Sequence, residues 1–145
     1  MQLTRHSDYS LRVLIFLAVN RDVLATIPQI AEAYGISRGH LMKVVQQLGH
    51  LGYVETLRGR GGGLRLALDP TQIRLGDIVR QTEERLDLVE CFSTSVGGCR
   101  IEPACRLKGA LQQALAAFIE TLNAYTLADV AGGRAAPLRR LLQIA

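Results

Sequence analysis

Three cysteines fall within fifteen residues of this chain, as Cys91-x7-Cys99-x5-Cys105. Random placement would cluster three cysteines so tightly about three times in a hundred, so the grouping points to thiol chemistry held on one loop. Thiolates on a loop can ligate an iron–sulfur cluster or zinc. Zinc sites ordinarily pair cysteines about two to four residues apart, and both gaps here are longer. Unligated thiols, buried or reactive, are the third reading, and spacing alone leaves cluster, zinc and no metal all open. Three thiols cannot pair completely within one chain, and the N-terminus has neither an export signal nor a cleavage site. A reducing cytoplasmic setting without structural disulfides is therefore expected.

The loop needs a scaffold, and 145 residues with 48% hydrophobic and 21% charged content suit one globular domain with a short appendage. The longest apolar run, 13–19, is far too short to cross a bilayer, so no membrane partner is expected. Seventeen basic residues against thirteen acidic ones give +4. Between positions 34 and 68 lie Arg38, Lys43, Arg58, Arg60 and Arg65 against the single acid Glu55, so this window alone carries +4. Charge so concentrated is either an ordinary solvated face or the footprint of a phosphate backbone.

Local pattern decides between these. A first amphipathic helix is predicted over 7–19, with Leu11, Leu14, Ile15 and Ala18 at helical spacing. Thr26-Ile27-Pro28-Gln29 reads as a capping box that starts a second helix, which Gly35 stops. Ser37 caps a third, whose Leu41, Val44, Val45 and Leu48 form its inner stripe. This is a helix-turn-helix. The period then changes to that of strands over 53–57 and 64–68, joined by Arg58-Gly59-Arg60-Gly61-Gly62-Gly63. A basic hairpin directly after a helix-turn-helix makes a winged helix. A P-loop is excluded, because no Lys-Ser/Thr pair follows the glycines and no helix begins there.

Beyond the wing, a helix is predicted over 74–89, with Glu83, Glu84 and Asp87 on a solvated face. An irregular loop containing Gly97, Gly98 and Pro103 spans 91–105, and a long helix is predicted over 107–127. The apolar stripe of that helix (Leu107, Leu111, Ala114, Leu115, Phe118, Leu122, Tyr125) exceeds what a small core needs, so a second copy of the chain is expected against it. The fold class is therefore mainly α with a small β-hairpin wing. Its expected parts are a winged helix-turn-helix DNA-binding domain at 1–73, a connecting helix and cysteine loop at 74–106, a dimerisation helix at 107–130 and a fraying tail at 131–145. A homodimer should read pseudo-palindromic double-stranded operator DNA. Ser37, His40, Lys43 and Gln47 are expected on the outer face of the third helix. Ser37, Arg38 and His40 should lie nearest the base edges, with Arg58 and Arg60 in an A·T-rich minor groove. No catalytic constellation or second cofactor motif supports an enzyme.

Several stretches resemble one family: Met1-Gln2-Leu3-Thr4 with Asp8-Tyr9, residues 45–54, Arg58-Gly59 with Gly62-Gly63, Pro103-Ala104-Cys105-Arg106-Leu107-Lys108, and Tyr125-Thr126-Leu127-Ala128-Asp129. They are similar to the winged-helix iron–sulfur regulators that include the cluster-assembly regulator IscR, and within these to the nitric-oxide-sensing repressors. Lys108 stands where the cluster-assembly branch has a histidine, which separates the chain from that branch. The resemblance implies that Cys91, Cys99 and Cys105 ligate an iron–sulfur cluster, 4Fe-4S ahead of 2Fe-2S. It further implies that nitric oxide attacks the cluster, lowers DNA affinity and releases genes for nitric oxide detoxification. Three cysteines leave one iron of a cubane without a protein ligand. His6, Glu90 and Glu102 are donors on chemistry alone. By resemblance the fourth ligand is Asp8, contributed by the partner subunit, and a hard oxygen donor there should be the exchangeable one.

Overall fold

The computed structural model describes residues 2–93 and 99–145. The first helix, α1 (Arg5–Val19), starts where the Thr4 side chain accepts a hydrogen bond from the Ser7 backbone N–H. It buries Ser7, Ser10, Val13, Leu14, Phe16, Leu17 and Val19. Leu11, Ile15 and Ala18, expected to lead the inner face, are only partly buried at its edge.

The helix-turn-helix forms as its capping signals require. Thr26 and Gln29 make a reciprocal capping box at the start of α2 (Ile27–Tyr34), and Gly35 ends it in the left-handed region at φ 63°. Ser37 caps α3 (Arg38–His50), which buries Leu41, Val44, Val45 and Leu48. Strands β1 (Val54–Leu57) and β2 (Gly63–Leu66) pair antiparallel with Val54 opposite Leu66 and Leu57 opposite Gly63. One further bond, from Ala67 N–H to the Tyr53 carbonyl at 2.9 Å, prolongs the ladder beyond the strands. The tip admits no side chain at Gly62, where a Cβ would lie 2.2 Å from the Leu57 carbonyl oxygen.

The remaining helices are α4 (Leu75–Thr82), α5 (Arg106–Asn123), α6 (Leu127–Ala131) and α7 (Ala135–Leu141). Single turns of 3-10 helix lie at Pro70–Gln72, Glu90–Phe92, Glu102–Ala104 and Gly132–Arg134. Helix α1 is the hub, packing against α3, α4 and α6. Leu14, Ile30, Leu41, Leu48, Ile73, Ile78 and Leu127 are fully buried in one continuous core.

Three expectations for the C-terminal half change. The helix predicted over 74–89 stops at Thr82. The buried Thr82 hydroxyl donates to the Ile78 carbonyl (2.7 Å) and bonds the Ser7 hydroxyl (2.9 Å), which ties the end of α4 to α1. Glu84 and Asp87 are exposed as expected, while the half-buried Glu83 also holds α1: its Oε1 accepts from the Thr4 backbone N–H at 2.7 Å, at the positive end of that helix. The helix predicted over 107–127 breaks at Asn123, because Thr126 and Asp129 form a second capping box and Leu127 turns into the core. The tail at 131–145, expected to fray, carries regular structure. It forms α7, and Leu138, Leu142 and Ile144 pack on the core. Gly97 and Gly98, placed in the expected cysteine loop, lie outside the described residues.

Candidate functional site

Helix α3 has one buried face and one bare face. Arg38, Gly39, Met42, Lys43 and Gln46 face solvent, and Met42 is 60% exposed. Ser37 is also exposed, and its hydroxyl accepts from the His40 backbone N–H at 3.3 Å. His40 is exposed, but its ring leans edge-on against Tyr9 with centroids 5.8 Å apart. Gln47 is drawn away from the expected outer face, since its amide donates to the Gln81 carbonyl at 3.1 Å. Four core positions set the inward direction of the helix. Positions 39, 43 and 46 then lie opposite, while 40, 42 and 47 sit at the flanks; Tyr9 of α1 reaches 40 and Gln81 of α4 reaches 47, and 42 stays exposed. Sequence reasoning missed Gly39, Met42 and Gln46; the spacing of the core residues contains Gly39 and Gln46, whereas Met42 is exposed because the fold leaves its flank uncovered.

The charge window resolves in the same way. Arg65 lies opposite Glu55 in the hairpin and pairs with it at 2.8 Å, so these two charges cancel. Arg38, Lys43, Arg58 and Arg60 are exposed and form no salt bridge among the described residues. Four cations unpaired among the described residues therefore remain on α3 and the wing.

The three thiols come together elsewhere. Cys91 in the Glu90–Phe92 turn, Cys99, and Cys105 at the N-cap of α5 all line one open cleft of about 880 Å³. Cys91 and Cys105 are half-buried and Cys99 is exposed. Apolar walls come from Leu86, Val89, Phe92, Ile101, Leu111 and Leu115. Lys108 also lines the cleft, with its Nζ 2.6 Å from Glu102 Oε1. That hydrogen bond, with smaller help from Cys91 and Cys105, holds the Lys108 ammonium above the usual lysine value. The lysine therefore stays cationic beside the sulfurs. Among the described residues no three of His, Cys, Asp and Glu are close enough to hold a single metal ion. Three thiols around one roomy cleft are the donor type that iron–sulfur clusters use.

The other expected donors divide. Glu90 lines the cleft, and Glu102 does so while bound to Lys108. His6 lines a different, polar pocket with Gln47, Gln81, Thr82 and Glu83, where its Nε2 is buried without a hydrogen-bond partner among the described residues. Asp8 stands outside the thiol cleft on α1. Its carboxylate grips Arg12 at 3.0 and 2.9 Å, which raises the guanidinium pKa further. The same guanidinium lies over the rings of Tyr9 (5.8 Å) and Tyr34 (5.9 Å). Burial pushes the Tyr34 phenol up to about 12, so it remains neutral beneath the cation. Asp8, Arg12, Tyr9 and His40 thus form a continuous set of contacts from α1 to the first turn of α3.

Residues 3–133 match the family model Rrf2, described as an iron-dependent transcriptional regulator. The HTH-type transcriptional regulator NsrR of Bacillus subtilis is 55% identical over 131 residues, which is 90% of each chain. The regulator of the same name from Geobacillus kaustophilus is 52% identical over 144 residues, covering 99% of this chain and 97% of the other. Among solved structures, T. potens IscR superposes with a TM-score of 0.72 at 25% identity, over 90% of this chain and 85% of that one. Oxidised Staphylococcus aureus CymR gives 0.72 at 25% identity, over 90% and 96%.

Proposed function

The chain belongs to the Rrf2 family and is a DNA-binding transcriptional repressor rather than an enzyme; on that premise we propose that it represses as a homodimer and releases operator DNA in response to nitric oxide at an iron–sulfur cluster. The observation that carries this reading is the gathering of Cys91, Cys99 and Cys105 around one cleft beside a cationic lysine, in a chain 55% identical to a regulator named NsrR. Cys91, Cys99 and Cys105 would hold the cluster, with Asp8 of the partner subunit as fourth ligand; a 4Fe-4S form is proposed ahead of 2Fe-2S. When bound, such a cluster supplies iron that nitric oxide can reach.

The remaining steps belong to the protein's own residues. Helix α5 is 18 residues long but fully buries only Ile119. Leu107 is 63% exposed, and Leu111, Leu115, Phe118 and Leu122 are half-buried. A second copy would cover this stripe and bring the Asp8 of one subunit toward the thiols of the other. An exposed ion pair one turn apart contributes only about 0.3–0.5 kcal/mol, so Asp8 exchanges Arg12 for another partner at small cost. Arg12 is then free to shift over Tyr9 and Tyr34, and Tyr9 supports His40 in the first turn of the recognition helix. In this way the position of one carboxylate bears on the helix that, with Ser37, Arg38, His40 and Lys43, enters the major groove. Arg58 and Arg60 on the wing take the adjoining minor groove.

The deciding experiment is anaerobic purification followed by iron and sulfide analysis, with binding to duplexes recovered by in vitro selection. Cluster-loaded protein should bind these duplexes tightly, and stoichiometric nitric oxide should bleach its visible absorption and release the DNA. Apoprotein that binds equally well would refute cluster control. The exposed Cys99 thiol favours one second reading, a regulator that senses oxidation at bare cysteines; protein that lacks iron and sulfide when purified anaerobically would support it.

A further inference from the structure

Gly39 is out of place by the rules of its own chain. It sits in the first turn of α3, although glycine is the least favourable helix residue after proline. A Cβ built there meets no atom within 4 Å, so internal packing does not require its absence. One turn further along the same bare face is Met42, 60% exposed. A lone exposed methionine is unremarkable, but this one lies between Arg38 and Lys43, two cations that form no salt bridge among the described residues. The charge selects the occupant of this face, duplex DNA. In a major groove the apolar feature that distinguishes one base from the others is the thymine C5-methyl group. Methionine is long, flexible and polarisable, and can adapt to such a contact where a branched side chain would need an exact fit.

We propose that Met42 reads a thymine methyl in the operator half-site, and that Gly39 is kept bare so that the start of α3 can approach the base edges closely enough for that contact. This inference rests on the DNA-binding reading above and adds which residue discriminates and which base feature it discriminates.

The test uses anaerobically purified protein and duplexes recovered from a random library. Each thymine of the recovered half-site is replaced in turn by deoxyuridine, which lacks only the methyl group. For the unaltered protein, one symmetry-related position should lose about fourfold in affinity, the equivalent of one buried methyl. Met42→Ala should bind the thymine duplex more weakly by a similar factor and should no longer distinguish thymine from uracil at that position. Gly39→Ala should raise the thermal midpoint, because alanine favours helix and has open space, yet bind the duplex several-fold more weakly. Three results would overturn the proposal: Met42→Ala retaining the full preference for thymine over uracil, a recovered site indifferent to every methyl, or Gly39→Ala binding undiminished. If the unaltered protein selects no duplex at all, the DNA-binding reading fails first, and that outcome is visible before any substitution is made.

Discussion

Asp8 has two uses for one carboxylate. Within the subunit it holds Arg12 by two contacts of 2.9 and 3.0 Å; across a dimer it would serve iron, and it cannot do both with the same oxygens. Cysteine is the better match for iron, so the two ligand types should fail differently on removal. Under anaerobic reconstitution Cys99→Ala should lose the cluster, whereas Asp8→Ala should retain it with an altered visible spectrum, stability or nitric oxide response. An Asp8→Ala protein indistinguishable from the parent in all three would eliminate Asp8 as a ligand. At the wing, Arg58 and Arg60 are exposed and form no salt bridge among the described residues, so their removal should leave folding unchanged. Arg58→Ala or Arg60→Ala should weaken duplex binding and flatten its salt dependence by about one unit of slope per lost phosphate contact. Unchanged affinity and slope in both variants would remove the wing from the mechanism. The contrast with Arg65 shows what composition alone hides. Five cations were visible in one window, but only the register of the hairpin reveals that Glu55 neutralises Arg65.

The elements that were legible in the sequence are those defined by neighbours in sequence. Thr26 with Gln29, Ser37, and the inner stripe of α3 are local signals, and the structure has all of them where expected. The end of α4 was illegible because it is set across the fold, by the bond from Thr82 to Ser7 and by Glu83 at the start of α1, 75 and 79 residues away. Periodicity ran α5 on to position 127, but the capping box of Thr126 and Asp129 outweighs an apolar pattern that continues through it. That box has a pH signature. Asp129 accepts from the Thr126 backbone N–H (2.7 Å) and hydroxyl (2.8 Å), bonds that lower its pKa. A lowered folded-state pKa gives stabilisation that is complete above the unfolded-state value and is lost as pH falls through the folded one. The thermal midpoint of the parent should therefore exceed that of Asp129→Asn near neutrality, and the gap should shrink below the ordinary aspartate value of about 3.9. A gap independent of pH would show that the carboxylate charge is not what the cap uses. The stripe of α5 makes a separate prediction. Replacing Leu115 and Phe118 together by glutamate should give monomers by sedimentation that bind duplex weakly, whereas folded dimers with undiminished binding would show that the stripe does not form the dimer contact.

For the whole molecule, the thiol cleft and the DNA-facing surface are separate places, and repression controlled by the cleft requires free energy to pass between them. The sequence made each place visible but not the connection, because the contacts of Arg12 with Tyr9 and Tyr34, and of Tyr9 with His40, join three helices only once the chain has folded. A connected set of contacts does not by itself demonstrate coupling. The demonstration is thermodynamic. If the loaded cleft and DNA favour the same arrangement of α1 and α3, loaded protein should bind duplex tighter than apoprotein, within the range of about 5- to 150-fold typical of such coupling. Arg12→Ala should narrow that ratio without removing the thiols, because Asp8 would no longer have a second partner whose position depends on it. Reciprocity supplies a check that needs no variant. Whatever factor the loaded cleft adds to DNA affinity, bound DNA must add to iron retention, since both measure one coupling free energy. In equilibrium competition against an iron chelator, saturating duplex should therefore raise the chelator concentration needed for half-loss by the same ratio that separates the loaded and apo affinities. Equal retention with and without duplex, alongside unequal DNA affinities, would mean that the measured apoprotein is a misfolded species rather than the released state of a two-state switch.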